Sequence, residues 1–107
     1  MDSKVQESLQ GLVANILDSE IYREYQKQLT LVKERPGLKD KIDEFRTRNL
    51  ALQTGEQTTF EQLDRFEREY EDFREDPLVD QFLASELALC RLLQKVNRIM
   101  VEAIDFE

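Results

Sequence analysis

The amino-acid sequence predicts an all-α fold: an antiparallel bundle of about four to five helices with a long C-terminal helix, completed by dimerisation. Apolar residues recur at helical spacing along nearly the whole chain, and no stretch shows the period-two alternation of a half-buried strand. Charged residues make up 36% of the chain and hydrophobic residues 40%, a balance typical of amphipathic helices with one solvent-exposed face. The 107 residues fit one domain, residues 1–107.

The first half of the chain carries three predicted helical segments. Ser3 and Gln6 form a capping-box pattern at the start of the first. Asp18-Ser19 favours a break, because either side chain can cap a new helix, although one continuous helix also fits the pattern. Residues 35–37, Arg-Pro-Gly, end the second segment, since proline disfavours helix in the residue before it. The apolar face of the first segment comprises Val5, Leu9, Leu12, Val13, Ile16 and Leu17.

The second half predicts a helical hairpin followed by a long helix. Residues 53–57 are polar and contain a glycine, as expected for a connection. Thr58 and Glu61 form a second capping-box pattern. Asp76 suits an N-cap and Pro77 the first helical position, so the last helix begins there. The apolar residues of this helix span more than the roughly 100° of helix surface that one core face requires. We therefore expect other helices to pack against two of its sides.

Charge and hydropathy exclude several classes of partner. The formal net charge of −8 opposes binding to nucleic acid or to an anionic membrane surface. No apolar run approaches the roughly 18 to 20 residues that span a bilayer. The N-terminus lacks the basic-then-apolar order of a signal peptide, so the expected location is the cytoplasm.

The residue types that most often carry catalysis are scarce. The chain has no histidine, and therefore lacks the commonest general base and the commonest metal ligand. Cys90 is the only cysteine and lies among leucines, so we expect it to be a small buried hydrophobe. The sequence implies no cofactor.

Two other functions remain alternatives at this point. Six pairs of carboxylates spaced by three resemble the magnesium ligands of all-helical nucleotide pyrophosphohydrolases, with Glu61 and Asp64 the leading candidates. Random placement of the acids gives about five such pairs, so the pattern carries little information. The second alternative is a structural coiled-coil spacer, which predicts a rod-like particle.

The broad apolar surface of the last helix predicts self-association, most simply as a homodimer. Glu86 lies on the same side of that helix as its apolar neighbours and needs a cation or a backbone donor if buried. The predicted self-association interface comprises Phe82, Glu86, Leu89, Leu93, Val96 and Met100. A second surface, expected to face protein partners, is the acidic set Glu67, Glu69, Glu71, Asp72 and Glu75.

Three blocks of this sequence resemble the YlbF/YheA/YmcA family of small helical proteins from Gram-positive bacteria. Residues 14–25 share the leucine, serine and aromatic spacing of the family, and residues 45–53 precede a glycine-bearing polar turn. The most specific block runs from Asp76-Pro77 to Ile99 and combines a proline, a glutamate within an apolar helix and a closing valine/isoleucine stripe.

The resemblance implies a self-associating helical protein without chemistry of its own. Members of the family resemble regulators of competence, sporulation and biofilm formation that act in protein complexes, with related members among the partners, and influence mRNA processing. Some relatives carry extra cysteines linked to iron–sulfur clusters. Cys90 stands alone here, so cluster binding is not transferred to this chain.

Overall fold

The computed structural model describes residues 1–104, which are almost entirely helical and contain no strand. The described helices are α1 (Ser3–Leu17), α2 (Glu20–Glu34), α3 (Leu38–Thr54), α4 (Phe60–Glu69), α5 (Glu71–Glu75) and α6 (Pro77–Ile104). The all-α prediction and the long C-terminal helix are confirmed. The end of the last predicted segment, residues 105–107, lies outside the described residues.

The caps of α1 and α4 lie one residue from their predicted positions. The N-cap of α1 is Asp2, whose Oδ1 accepts a hydrogen bond from the Lys4 amide at 2.8 Å. Thr59 and Gln62 form the capping box of α4, in which each side chain accepts a hydrogen bond from the backbone of the other. The capping boxes predicted at Ser3 and Thr58 are therefore each wrong by one residue.

The chain does break between α1 and α2, which resolves the alternative that the sequence left open. Ser19 is the N-cap of α2: its Oγ accepts a hydrogen bond from the Tyr22 amide at 3.2 Å and donates one to the Ile16 carbonyl at 2.6 Å. The predicted turn before α3 is also present. Gly37 adopts φ 76°, a left-handed conformation that residues with a Cβ rarely adopt.

The core forms where α2 packs along the first part of α6. Four side chains from α2, α3 and α6 are fully buried in this core: Val32, Ile42, Val79 and Phe82. The ring of Phe82 lies 5.8 Å from that of Tyr25, measured between centroids. Every buried residue of α6 lies between Val79 and Ser85, so this helix contributes to the core only near its start.

A cluster of aromatic rings extends this core and holds the short helices in place. Phe45 of α3 lies at its centre, with ring centroids 5.5 Å from Phe66, 5.1 Å from Tyr70 and 5.4 Å from Phe73. Tyr70 occupies the break between α4 and α5 and is buried. The predicted fourth segment therefore becomes two helices, both anchored by the rings that they turn inward.

The molecule is a thin slab measuring 51 × 39 × 19 Å. Its radius of gyration is 18.2 Å, whereas a compact domain of this length has one of about 13 Å. These dimensions do not fit the extended rod that the coiled-coil spacer predicts. They agree with a small core to which α1 and the second half of α6 contribute no buried residue.

Candidate interaction surface

Helix α1 presents a row of exposed aliphatic side chains. None of its 15 residues is buried. Val5, Leu9, Val13 and Leu17, here called the α1 stripe, follow one another at intervals of four and are all exposed. The sequence pattern predicts that these residues share an apolar face but does not indicate that the chain leaves that face uncovered. The composition of α1 is a sequence signal of this wide apolar surface, because the helix has only two charged residues, Lys4 and Glu7.

The second half of α6 presents another apolar face. We define the distal α6 face as Leu89, Leu93, Val96, Met100 and Ile104, which share one side of the helix. Leu93 remains 48% exposed and Met100 46% exposed, while Leu89 and Val96 are half-buried. Four of the six residues predicted for self-association thus lie on this face.

The other two predicted interface residues are engaged within the chain. Phe82 is fully buried against α2, so its place in a self-association surface is wrong: the side of α6 that carries it packs against its own chain. Glu86 forms an ion pair with Arg46 of α3, whose guanidinium also lies 5.6 Å from the Phe82 ring centroid. The cation that Glu86 requires therefore comes from the same chain.

Cys90 is exposed, which contradicts the expectation of a buried hydrophobe. Its neighbours along α6 include leucines, but Cys90 lies beyond Val79–Ser85, the stretch that holds every buried residue of this helix. No metal site follows from this exposure, because no group of three cysteine or acidic residues converges within residues 1–104.

All five residues of the predicted acidic surface are exposed on α4 and α5: Glu67, Glu69, Glu71, Asp72 and Glu75. Glu69 accepts two hydrogen bonds from Arg48, at 2.7 and 2.8 Å, and Arg48 also donates one to the Tyr70 hydroxyl at 3.1 Å. This hydrogen bonding lowers the pKa of Glu69 and raises that of Arg48. Glu69 thus ties α4 to α3, whereas its four acidic neighbours form no ion pair within the described part of the chain.

The carboxylates proposed for magnesium line an open depression of about 330 Å³ beside Phe60. Glu61 and Asp64 share it with Arg65 and Arg68, and the Asp64 carboxylate lies 3.1 Å from the Arg68 Nε. Two guanidinium groups beside two acids oppose the concentration of negative charge that a hard divalent cation requires. The described residues thus give the pyrophosphohydrolase alternative no support.

The fold and these surfaces define a class: a small helical protein with a minor core and wide exposed apolar faces. No helix within residues 1–104 combines the length and the apolar character needed to cross a membrane. Residues 5–105 match the family described as control of competence regulator ComK, YlbF/YmcA, and the chain belongs to this family.

Two relatives from bacteria cover most of the chain. UPF0342 protein SSP0954 of Staphylococcus saprophyticus is 28% identical over 92 residues, which span 82% of this chain and 81% of that protein. UPF0342 protein STH1710 of Symbiobacterium thermophilum is 29% identical over 101 residues, which span 91% and 90%, respectively. No solved structure matches the chain.

Proposed function

We propose that this protein is a non-enzymatic regulatory adaptor that acts in the cytoplasm by forming a homodimer and by binding other regulatory proteins, related family members among them. The family description, control of a competence regulator, supports the regulatory role. The observation that carries the proposed mode of action is the exposure of the α1 stripe and the distal α6 face. Apolar faces of this extent mark interaction sites in soluble proteins.

The surface area of the chain agrees with a role in assembly. Its solvent-accessible surface is 8608 Å², whereas a compact monomer of its mass exposes about 6,200 Å². The excess of about 2,400 Å² is roughly three times what one partner contributes to an interface of standard size, about 800 Å². A single interface therefore leaves enough surface for a second partner.

The acidic surface is the proposed site for that second partner. This surface comprises four exposed acids of α4 and α5 that form no ion pair with residues 1–104, on a chain with a net charge of −8: Glu67, Glu71, Asp72 and Glu75. Such a surface repels RNA and favours a basic protein surface. We therefore propose that any influence on mRNA processing passes through a protein partner and not through direct contact with the transcript.

Replacing one exposed leucine tests self-association. We expect the wild type to sediment with a mass near twice 12.7 kDa and Leu93→Asp to sediment as a monomer, because the new carboxylate would be buried without a partner. The matched control is Leu50→Asp, which introduces the same charge at a leucine of α3 that is 64% exposed. A wild type that stays monomeric at high micromolar concentration would contradict the proposed homodimer.

The same pair of variants tests regulation in the native host. If the protein acts as an assembled adaptor, a strain carrying Leu93→Asp should show the transcript changes of a deletion strain, and Leu50→Asp should resemble the wild type. Sequencing of total RNA from the four strains measures this. Equal transcript levels in the wild-type and deletion strains would contradict a regulatory role.

A further inference from the structure

One side of α6 is covered by its own chain near the start of the helix and is free further along. Four residues at intervals of seven lie close to one line on this side: Val79, Glu86, Leu93 and Met100. Val79 is fully buried, and Glu86 forms its ion pair with Arg46 of α3. Leu93 and Met100 follow on the same line and are 48% and 46% exposed. The chain therefore covers this side of α6 only as far as Glu86.

The free part of this side carries a regular row of exposed residues. Five residues, here called the α6 seam, alternate steps of three and four: Cys90, Leu93, Asn97, Met100 and Ile104. This spacing lets one helix pack lengthwise against another. All five residues are exposed in the single chain, and three of them belong to the distal α6 face. Asn97 lies in the middle of the seam and is its one strongly polar member.

The charged side chains of residues 87–104 lie on the opposite side of α6 from the seam. Each of them is two positions away from Leu93 or Met100: Arg91, Lys95, Arg98 and Glu102. Successive residues of an α-helix are about 100° apart, so two positions correspond to about 200°, nearly the opposite side. The seam of one copy can therefore lie on the seam of a second copy without bringing like charges together.

The amide of Asn97 favours an identical seam as the occupant of this surface. The side chain has an acceptor oxygen and a donor nitrogen, so two copies of it related by a twofold axis can each donate to and accept from the other. An aliphatic side chain opposite Asn97 would instead bury the amide without a hydrogen bond, which is unfavourable. A single asparagine in an apolar helical seam is also a feature that fixes the register and number of associating helices.

The covered part of α6 determines the direction of the second helix. In a parallel pair the two covered parts would lie side by side, and α3 of each copy would stand where the other copy needs space. From these observations, and resting on the proposed homodimer, we infer that the α6 seams of two copies pack antiparallel, with the two Asn97 side chains meeting on the twofold axis. Cys90 of one copy then lies opposite Ile104 of the other. The overlap, residues 90–104, ends just short of Glu86, where the covered part begins.

Disulfide cross-linking tests the antiparallel register. Ile104→Cys retains Cys90, so the two thiols should face one another across the dimer, and mild oxidation should give a covalent dimer on a non-reducing gel. Ile104 is 64% exposed, so this exchange should leave the fold intact. In the wild type the two Cys90 thiols would be about 21 Å apart along the helices, too far for a disulfide. The matched control, Ile104→Cys combined with Cys90→Ser, should also remain without a cross-link.

Replacing the central amide tests the position of the twofold axis. Asn97→Asp places two carboxylates on the axis, and we expect the dissociation constant of the dimer, measured by sedimentation, to rise about tenfold or more. The matched control is Gln81→Glu, which makes the same amide-to-carboxylate change at an exposed position of α6 outside the seam. Its dissociation constant should stay within about twofold of the wild-type value. Equal dissociation constants for the two variants would overturn the position of Asn97 on the axis.

The outcomes separate this inference from the proposed homodimer. If the wild type sediments as a dimer but Ile104→Cys gives no cross-link, the dimer uses another surface, and only the antiparallel seam is overturned. Cross-linking of the wild type, or of the control that lacks Cys90, would indicate parallel helices and would also overturn the seam alone. A monomeric wild type overturns both proposals.

Discussion

At the residue scale, Asp76 combines two stabilising contacts at the start of α6. Its Oδ1 accepts a hydrogen bond from the Leu78 amide at 3.0 Å, and its Oδ2 lies 2.5 Å from Nη1 of Arg35. The backbone hydrogen bond, followed by the interaction with Arg35, lowers the pKa of Asp76 below its usual value. A carboxyl whose pKa is lowered by folding stabilises the protein above the unfolded pKa, and this contribution is lost as the pH falls through the folded pKa.

This environment predicts acid sensitivity that depends on Asp76. We expect the free energy of unfolding of the wild type to decrease below about pH 4, the range in which an unfolded aspartate takes up its proton. In Asp76→Asn the decrease should be smaller, because asparagine caps a helix without titrating. Urea denaturation at a series of pH values measures both curves. Parallel curves for the two proteins would show that Asp76 contributes nothing to the pH dependence.

Phe82 is the residue on which the core depends most. We expect Phe82→Ala to lower the free energy of unfolding by about 3–5 kcal/mol, because it removes a fully buried ring between α2 and α6. Phe60→Ala is the matched control: this ring is 81% exposed, and its loss should change stability by no more than about 0.5 kcal/mol. Urea denaturation at one protein concentration compares them. Equal losses in the two variants would argue against the buried position of Phe82.

At the element scale, the caps decide where α1 ends and α2 begins. Ser19→Ala should destabilise the protein by about 1 kcal/mol, because the Tyr22 amide loses its acceptor. Ser3→Ala is the matched control and should cost nothing, since Asp2 and not Ser3 caps α1. Thermal unfolding followed by circular dichroism measures the two shifts. A loss at Ser3 as large as that at Ser19 would restore the capping box predicted from the sequence.

The boundaries that the sequence predicts well are those with strong local causes. Pro36 and Pro77 restrict the backbone by their own rings, and both predicted breaks are present. The break at Tyr70 has no such cause, because Tyr70 makes no side-chain cap and residues 60–75 keep helical spacing throughout. It arises from the packing of Phe66, Tyr70 and Phe73 around one phenylalanine of α3, and such a tertiary contact leaves no mark on the local pattern.

At the scale of the whole molecule, the sequence indicates that apolar surface is in excess but not where the excess lies. The apolar residues of α6 are too widely spread for one core face, and this holds in the structure. Which part of the helix meets α2 depends on how the helices are placed in three dimensions. That placement buries Phe82, leaves Met100 in solvent and exposes Cys90, and it also leaves α1 without a core to join.

A body 19 Å thick is only about two helix diameters deep. The depressions on its described surface are open, and the one beside Phe60 holds about 330 Å³. Such a body has little depth in which to enclose a metabolite and shield it from water, as a ligand-gated switch does. The proposed adaptor function therefore requires a partner protein to bind across the flat sides, where the contact can extend along the whole length of a helix.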